Sequence, residues 1–329
     1  MPPRPAFLLL AFSLLTLLGL FTALIFGSAE IAATEVLRAL FFPADDIATQ
    51  IVWQLRLPRA LAAFVCGALL AMSGALLQVL LRNPLADPYI LGISGGAAVG
   101  ALGAMLAGWG LWLVNLGSLA GAMLAVAAVF GLSFRSGEWH IYRLLLTGVA
   151  LSAGCGALLS LMLTLAPGTE VKGMLFWLMG DLSRAEPAYL LPAYGVLAAL
   201  LLASFAYANK LNVLSLGALK ARTLGVAVQP VQLGIYVGAS LATVAALLLG
   251  GAIGFVGLII PHLLRLLGIT DHRGLMPLSA LLGGSFLLVA DTLARTVFVP
   301  QQLPVGVLTA LIGVPLLLLL LSRGSRPPR

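Results

Sequence analysis

From residue 6 onward the chain alternates long apolar stretches with short polar ones. Ten stretches approach the length needed to cross a bilayer as a helix: 6–27, 58–81, 89–108, 111–133, 143–166, 188–208, 228–249, 252–268, 275–294 and 304–322. About 20 apolar residues suffice for one crossing. The stretch 252–268 is the shortest, and Gly254, Gly257 and Pro261 interrupt it. The pattern therefore predicts an all-α polytopic membrane protein of about ten transmembrane helices, folded as a single transmembrane domain over 1–329. The first stretch begins after Arg4 and ends near Gly27-Ser28-Ala29, like a secretory signal. Its apolar core is longer than a signal's, and further spans follow, so it reads as an uncleaved first helix.

Between the spans the polar segments differ in character. Residues 28–55 form a long early loop carrying Glu30, Glu35, Asp45 and Asp46, with a short interfacial helix expected from Glu35 to Leu40. Residues 167–187 form a second segment on the same side, where Trp177 suits a membrane–water boundary. Across 209–227, leucines at 211, 214, 216 and 219 interleave with Lys210, Asn212, Lys220 and Arg222, which predicts one or two short amphipathic helices. Glycines crowd Gly92 to Ala104 and Gly250 to Gly257; close helix packing explains them without a ligand, and their places in opposite halves hint at an inverted repeat.

Composition agrees with the pattern: 61% of residues are hydrophobic and 9% charged, against about 25% charged in soluble domains. Placing the N-terminus inside puts twelve bases and three acids on one set of loops, and six bases and eight acids on the other. These account for all 18 bases and 11 acids and for the net charge of +7. Basic loops remain cytoplasmic, so both termini are expected there. The charge is then a topology signal and gives no reason to invoke nucleic acid. Cys66 and Cys155 lie inside apolar spans as small hydrophobes. No histidine falls mid-span: His140, His262 and His272 all sit at interior ends. Met162, Met174 and Met179 lie near the outer mouth, where packing explains them.

Arg56-Leu57-Pro58-Arg59 opens the second span, and Asn83-Pro84-Leu85-Ala86-Asp87-Pro88 closes it. Charges are expensive in a bilayer and are kept for its edges. Arg295 joins Arg56 and Arg59 on the outer face. Read from spacing alone, these arginines either receive a partner or pair locally, with Asp291 one helical turn before Arg295. A proton- or sodium-driven carrier would need carboxylates near the midplane, and only Asp291 comes close. A membrane enzyme would need clustered titratable groups, and none is visible.

The stretches Arg56 to Gly100, Arg143 to Ala150, Leu214 to Gly225, Gly250 to Arg273 (with Gly251-Ala252-Ile253-Gly254-Phe255-Val256-Gly257-Leu258 and Pro261-His262) and Asp291 to Pro315 resemble the FecCD family of ABC-transporter permeases. Residues 1–55 and 104–142 match in hydropathy only. The resemblance implies a subunit of about ten helices in the bacterial inner membrane. It implies a homodimer around a central pathway, with two ATP-hydrolysing subunits on the cytoplasmic side and a periplasmic binding protein above. The cargo would be a metal chelate, a ferric siderophore or haem, with vitamin B12 as the alternative. Without a Gly-Lys dipeptide the chain has no P-loop. It would bind no cofactor and carry out no catalysis; ATP and Mg would belong to the partner subunits.

The resemblance also assigns roles. Arg56, Arg59 and Arg295 would dock acidic groups of the binding protein, as guanidinium forks suit carboxylates. Leu214, Ser215, Leu216, Gly217, Ala218, Lys220, Ala221, Arg222 and Gly225, within 209–225, would couple to the ATPase; the plain alternative is a basic loop set by topology. Asn83, Pro84 and Leu85, with Ile141 and Tyr142, would form a cytoplasmic gate; the plain alternative is a helix stop.

Overall fold

A computed structural model describes residues 5–135, 138–139 and 141–324, with two-residue strands at Phe134–Arg135 and Glu138–Trp139 and helix nearly everywhere else. His140 and Arg4 lie outside the described residues. In chain order the helices are α1 (Pro5–Ile25), α2 (Ala33–Phe41), α3 (Ile47–Gln50), α4 (Leu57–Leu81), α5 (Ile93–Leu106), α6 (Leu111–Ser133), α7 (Ile141–Leu165), α8 (Gly168–Met179), α9 (Leu190–Ser215), α10 (Ala218–Thr223), α11 (Val228–Gly250), α12 (Val256–Leu266), α13 (His272–Thr296) and α14 (Val305–Gly324). Each of the ten expected spans coincides in large part with one of these helices. Among the described residues, seven helices are long and apolar enough to cross a membrane, while α5 and α12 are shorter.

Several boundaries move from those expected. Helical structure begins at Ile47 and runs through a wide π-helical stretch, Ile51–Arg56, into α4, so the early loop of 28–55 loses its last nine residues to helix. The expected interfacial helix is α2. At the other end α9 continues to Ser215, absorbing residues expected in the 209–227 connection, and one short helix, α10, follows.

Helix α4 is the axis of the molecule, buried almost without interruption from Ala60 to Leu81 and flanked by α13, α11, α12 and α9. Small residues make this possible. A Cβ on Gly67 would overlap the Gly283 carbonyl of α13, and one on Gly74 would overlap Gly257 of α12. Lipid tails are as apolar as leucine, so spans associate through close van der Waals contact that side chains would prevent. The α5–α6 pair shows it twice: Gly96 lies against Gly121 and Gly100 against Gly117, each helix carrying its glycines four residues apart. The glycines of Gly92 to Ala104 are packing residues.

The shortest expected span is interrupted at Gly254 but not at Gly257 or Pro261, both of which lie inside α12. Residues 251–255 are not helical, and Phe255 has a left-handed backbone, φ 71°. Irregular backbone within a membrane protein must find partners in protein. Here the Ala252 amide donates to the Trp177 carbonyl at 3.3 Å, and the Ile253 amide donates to the Tyr89 hydroxyl at 2.9 Å. Nearby, the Asp181 amide donates to the Gly250 carbonyl and the Val305 amide to the Gly180 carbonyl. The end of α8, the start of α14 and the break before α12 are thereby stitched together.

Candidate functional site

At the end of α4 that begins with Arg56, three guanidiniums lie near one another, and two of them, Arg59 and Arg295, pair with one carboxylate, Asp291. Arg59 grips Asp291 side-on, Nε to Oδ2 at 3.0 Å and Nη2 to Oδ1 at 2.8 Å, and donates through Nη1 to Gln302 at 2.8 Å. Arg295 lies 3.8 Å from the same carboxylate and donates to the Ala23 carbonyl at 2.5 Å. Arg56 donates to the carbonyls of Leu24, Ile25 and Ala29 at 2.6, 2.7 and 2.5 Å. The last carbonyls of a helix have no partner of their own and carry partial negative charge; Arg56 and Arg295 close the C-terminal turn of α1. Both are buried, and Arg59 keeps 13% of its side chain exposed against 1% for Asp291.

The three arginines expected on the outer face are thus brought together, but Arg56 and Arg295 turn inward, and local pairing with Asp291 is what the free chain shows. Three positive groups against one negative leave the cluster with excess positive charge. Beside it opens a cavity of about 1090 Å3 whose walls come from the α5–α6 turn, α8 and residues 300–304. Glu170, Lys172 and Arg184 line it together with Gln302, the acceptor for Arg59. Gln302 and the α1 carbonyls carry no sequence signal, because their role exists only once α1 and residues 300–304 meet α4. Of the methionines near this mouth, Met179 lines the cavity and Met174 is fully buried.

The opposite end of α4 turns at Arg82, whose backbone is left-handed with φ 49°. Asn83 Oδ1 accepts the Leu85 amide at 2.9 Å, and Asp87 Oδ1 accepts the Tyr89 amide at 2.9 Å. These are two successive side-chain-capped turns of the type Asn and Asp favour. Burial pushes the Asp87 carboxyl up to about 6, opposed in part by its bond from the Tyr89 amide. Asn83, Pro84 and Tyr142 are exposed, Tyr142 by 88%, while Leu85 and Ile141 are half-buried. Within one chain three of the five expected gate residues are therefore exposed.

A buried glutamine missed in the sequence lies close by. Pro261 cannot supply the amide that would bond the Gly257 carbonyl within α12. The Gln78 side-chain amide approaches that carbonyl at 3.5 Å and donates to Leu258 at 3.2 Å, while Arg265 donates to the Gln78 oxygen. The signal was a glutamine inside an apolar span, meaningful only beside a proline 183 residues away.

Beyond α9 the chain reverses at Gly217, φ 116°, enters α10, and turns again at Gly225, φ 78°. Leu214, Gly217 and Ala221 are buried and Ala218 is half-buried, which fixes α10 against the bundle. Ser215, Lys220, Arg222 and Gly225 are exposed. So are Leu216, Leu219 and Leu224, by 60%, 77% and 63%. Asn212 clips this region to α13: its amide donates to Asp271 at 2.8 Å, and its oxygen takes the His272 amide at 3.0 Å. The Asn212 and Arg273 donors hold the Asp271 carboxyl below the usual carboxylate range.

The fold is a helical membrane bundle with irregular, internally bonded breaks and a short exposed helix at one end, and the comparisons give its class as a transport permease. The FecCD transport family model matches residues 15–323, and the chain belongs to that family. It is 39% identical over 329 residues to the vitamin B12 import system permease protein BtuC of Escherichia coli O157:H7, covering 97% of this chain and 95% of that one. It is 41% identical over 294 residues to the uncharacterised ABC transporter permease protein YvrB of Bacillus subtilis (strain 168), covering 87% and 82%. Among solved structures, a chain described as an inward-facing conformation of a metal-chelate type ABC transporter superposes with a TM-score of 0.84 at 30% identity, covering 97% and 99%. A chain of PsaBC from Streptococcus pneumoniae, at 17% identity and a TM-score of 0.54 over 88% and 95%, shares the fold. In class, the protein is a multi-pass ABC importer permease.

Proposed function

We propose that two copies of this chain form the pathway of an ATP-driven importer for a bulky metal chelate in the bacterial inner membrane. In this reading the α10 end and both termini are cytoplasmic. The observation that carries the partner assignment is α10 itself. Its buried Ala221 and Leu214 anchor it, while Leu216, Leu219 and Leu224 stand exposed beside Lys220 and Arg222. Exposed apolar groups with charged neighbours are costly unless a partner covers them. An ATP-binding subunit pressing on α10 would move α9, and the Asn212 clip would pass that movement to α13. Two discrete packings of the bundle, biased by the partners, would alternate access.

At the other end, the excess positive charge around Asp291 supports docking of an acidic binding protein on Arg56, Arg59 and Arg295. Arg59, partly exposed, would make first contact, and its bond to Gln302 is the one that can be exchanged. The turns holding Asn83, Pro84, Leu85, Ile141 and Tyr142 would form the cytoplasmic gate where two copies face each other. A ferric siderophore or haem is the cargo that the Asn83–Tyr89 stretch favours. The name of the 39% identical relative favours cobalamin as a second reading.

The test is ATP-driven uptake into proteoliposomes holding this chain, its ATP-binding partner and its binding protein. Ferric siderophore, haem and cobalamin are offered in turn, to wild type and to Arg59→Glu. Uptake of one chelate, lost in the variant, supports importer and docking face together. Uptake that survives charge reversal removes the docking assignment, and uptake without ATP overturns the mechanism.

A further inference from the structure

A second cleft, of about 310 Å3, lies between α9 and α11 toward the α10 end. On α9, Leu200, Ser204, Tyr207 and Leu211 line it, three or four residues apart, so one helical face forms the wall. On α11 the wall is Pro230 and Gly234. A Cβ on Gly234 would meet nothing within 4 Å, whereas one turn on at Gly238 the space is filled by Leu200 and by Leu76 of α4. The cleft is thus open at Gly234 and closed by leucine at its deep end. Ser204 donates to the Leu200 carbonyl at 2.6 Å and so brings no unmet polar demand.

The mouth differs chemically. Lys210 stands there with its ammonium 4.6 Å from the centre of the Tyr207 ring, both residues exposed. A neighbouring cavity of about 410 Å3 shares Ala227 and Pro230 with the cleft and is lined by Arg222 and Gln229. Among the described residues, no aspartate or glutamate lines either cavity. Leu202 and Phe205, also on α9, are 73% and 55% exposed, so this helix presents apolar surface to its surroundings.

We infer that this cleft is a binding site for an anionic glycerophospholipid, with an acyl chain between α9 and α11 and the phosphodiester on Lys210. In a bilayer, hydrocarbon fills an apolar cleft between spans, and the charge at its mouth selects the headgroup. An ammonium held over an aromatic ring at the membrane boundary offers three donors to phosphate oxygens. Basic pockets between spans recognise acidic headgroups in this way. The site is separate from the arginine cluster and does not depend on what the protein transports.

The test is native mass spectrometry of the full-length chain released from micelles doped with equal phosphatidylglycerol and phosphatidylcholine. Wild type is expected to retain phosphatidylglycerol about fivefold over phosphatidylcholine, the preference one basic group confers. Lys210→Gln should bring the ratio to about one, and Lys210→Arg should restore it. Gly234→Leu, which fills the opening, should remove the retained lipid while thermal unfolding in lipid-free detergent stays as in wild type. Equal retention of the two lipids by wild type, or a ratio unchanged in Lys210→Gln, overturns the inference. Displacement of the lipid by soluble glycerophosphate at equal concentration would show an anion site without acyl recognition, and would overturn it too.

Discussion

Arg59 and Asp291, 232 positions apart, form a side-on ion pair that ties the start of α4 to the last turns of α13. Asp291 is 1% exposed, and Arg59 gives it its closest charge partner, with Arg295 at 3.8 Å as the second. Removing one member of a buried pair strands the other, at a cost of about 3–5 kcal/mol. Arg59→Ala should lower the thermal unfolding temperature sharply in detergent. The double change Arg59→Ala/Asp291→Ala should recover only part of the loss, since it removes the stranded carboxylate but leaves the buried Arg295 without its acidic neighbour. Additive losses in the double variant would show that the two residues act independently.

The α5–α6 seam should fail under small additions. Gly96→Leu or Gly100→Leu would drive a side chain into the Gly121 or Gly117 carbonyl. Overpacking costs about 1–3 kcal/mol even where neighbours can adjust, and here the neighbour is backbone. Gly131→Leu and Gly154→Leu, whose Cβ positions meet nothing within 4 Å, are the controls. Yield of monodisperse protein should separate the two pairs.

Leu219 is 77% exposed on α10, so Leu219→Glu should change stability by no more than about 0.5 kcal/mol. On the proposed reading the same change should abolish co-purification of the ATP-binding partner. Retention of the partner by Leu219→Glu would remove α10 from the coupling surface.

Tyr89→Phe deletes the acceptor of the Ile253 amide without changing shape. An unpaired buried amide costs about 1–3 kcal/mol. Hydrogen exchange at 251–255 should accelerate while exchange in α4 stays protected.

Two carboxyls should pull stability in opposite directions with pH. Asp271 is held below its ordinary range, so its contribution is present above that range and is lost as pH falls through the lowered value. Asp87 is raised to about 6, so its contribution is present below the ordinary aspartate range and is lost as pH rises through about 6. Asp87→Asn keeps the acceptor for the Tyr89 amide and cannot ionise. It should be more stable than wild type at pH 7, by about 1 kcal/mol, and equal to it at pH 4. A variant no more stable at pH 7 would show that Asp87 is solvated in the membrane-embedded protein.

Ten apolar stretches could be counted from composition because a bilayer demands length and apolarity of every span, whatever its neighbours. The interruption at Gly254 and the turn at 83–88 were legible for a similar reason: glycine, proline and capping side chains act on the backbone beside them. Where α12 starts was not legible, since Tyr89, Trp177 and Gln78 supply partners there from elsewhere in the chain. Nor was the inward turn of Arg56 and Arg295. Arginine at a membrane edge is legible from sequence, but whether it faces a partner or caps a helix depends on the carbonyls packed beside it. Here those belong to α1, more than 25 residues from Arg56 and more than 250 from Arg295. Local chemistry can be read along a chain, whereas the pairing of a buried charge is decided only when distant segments meet.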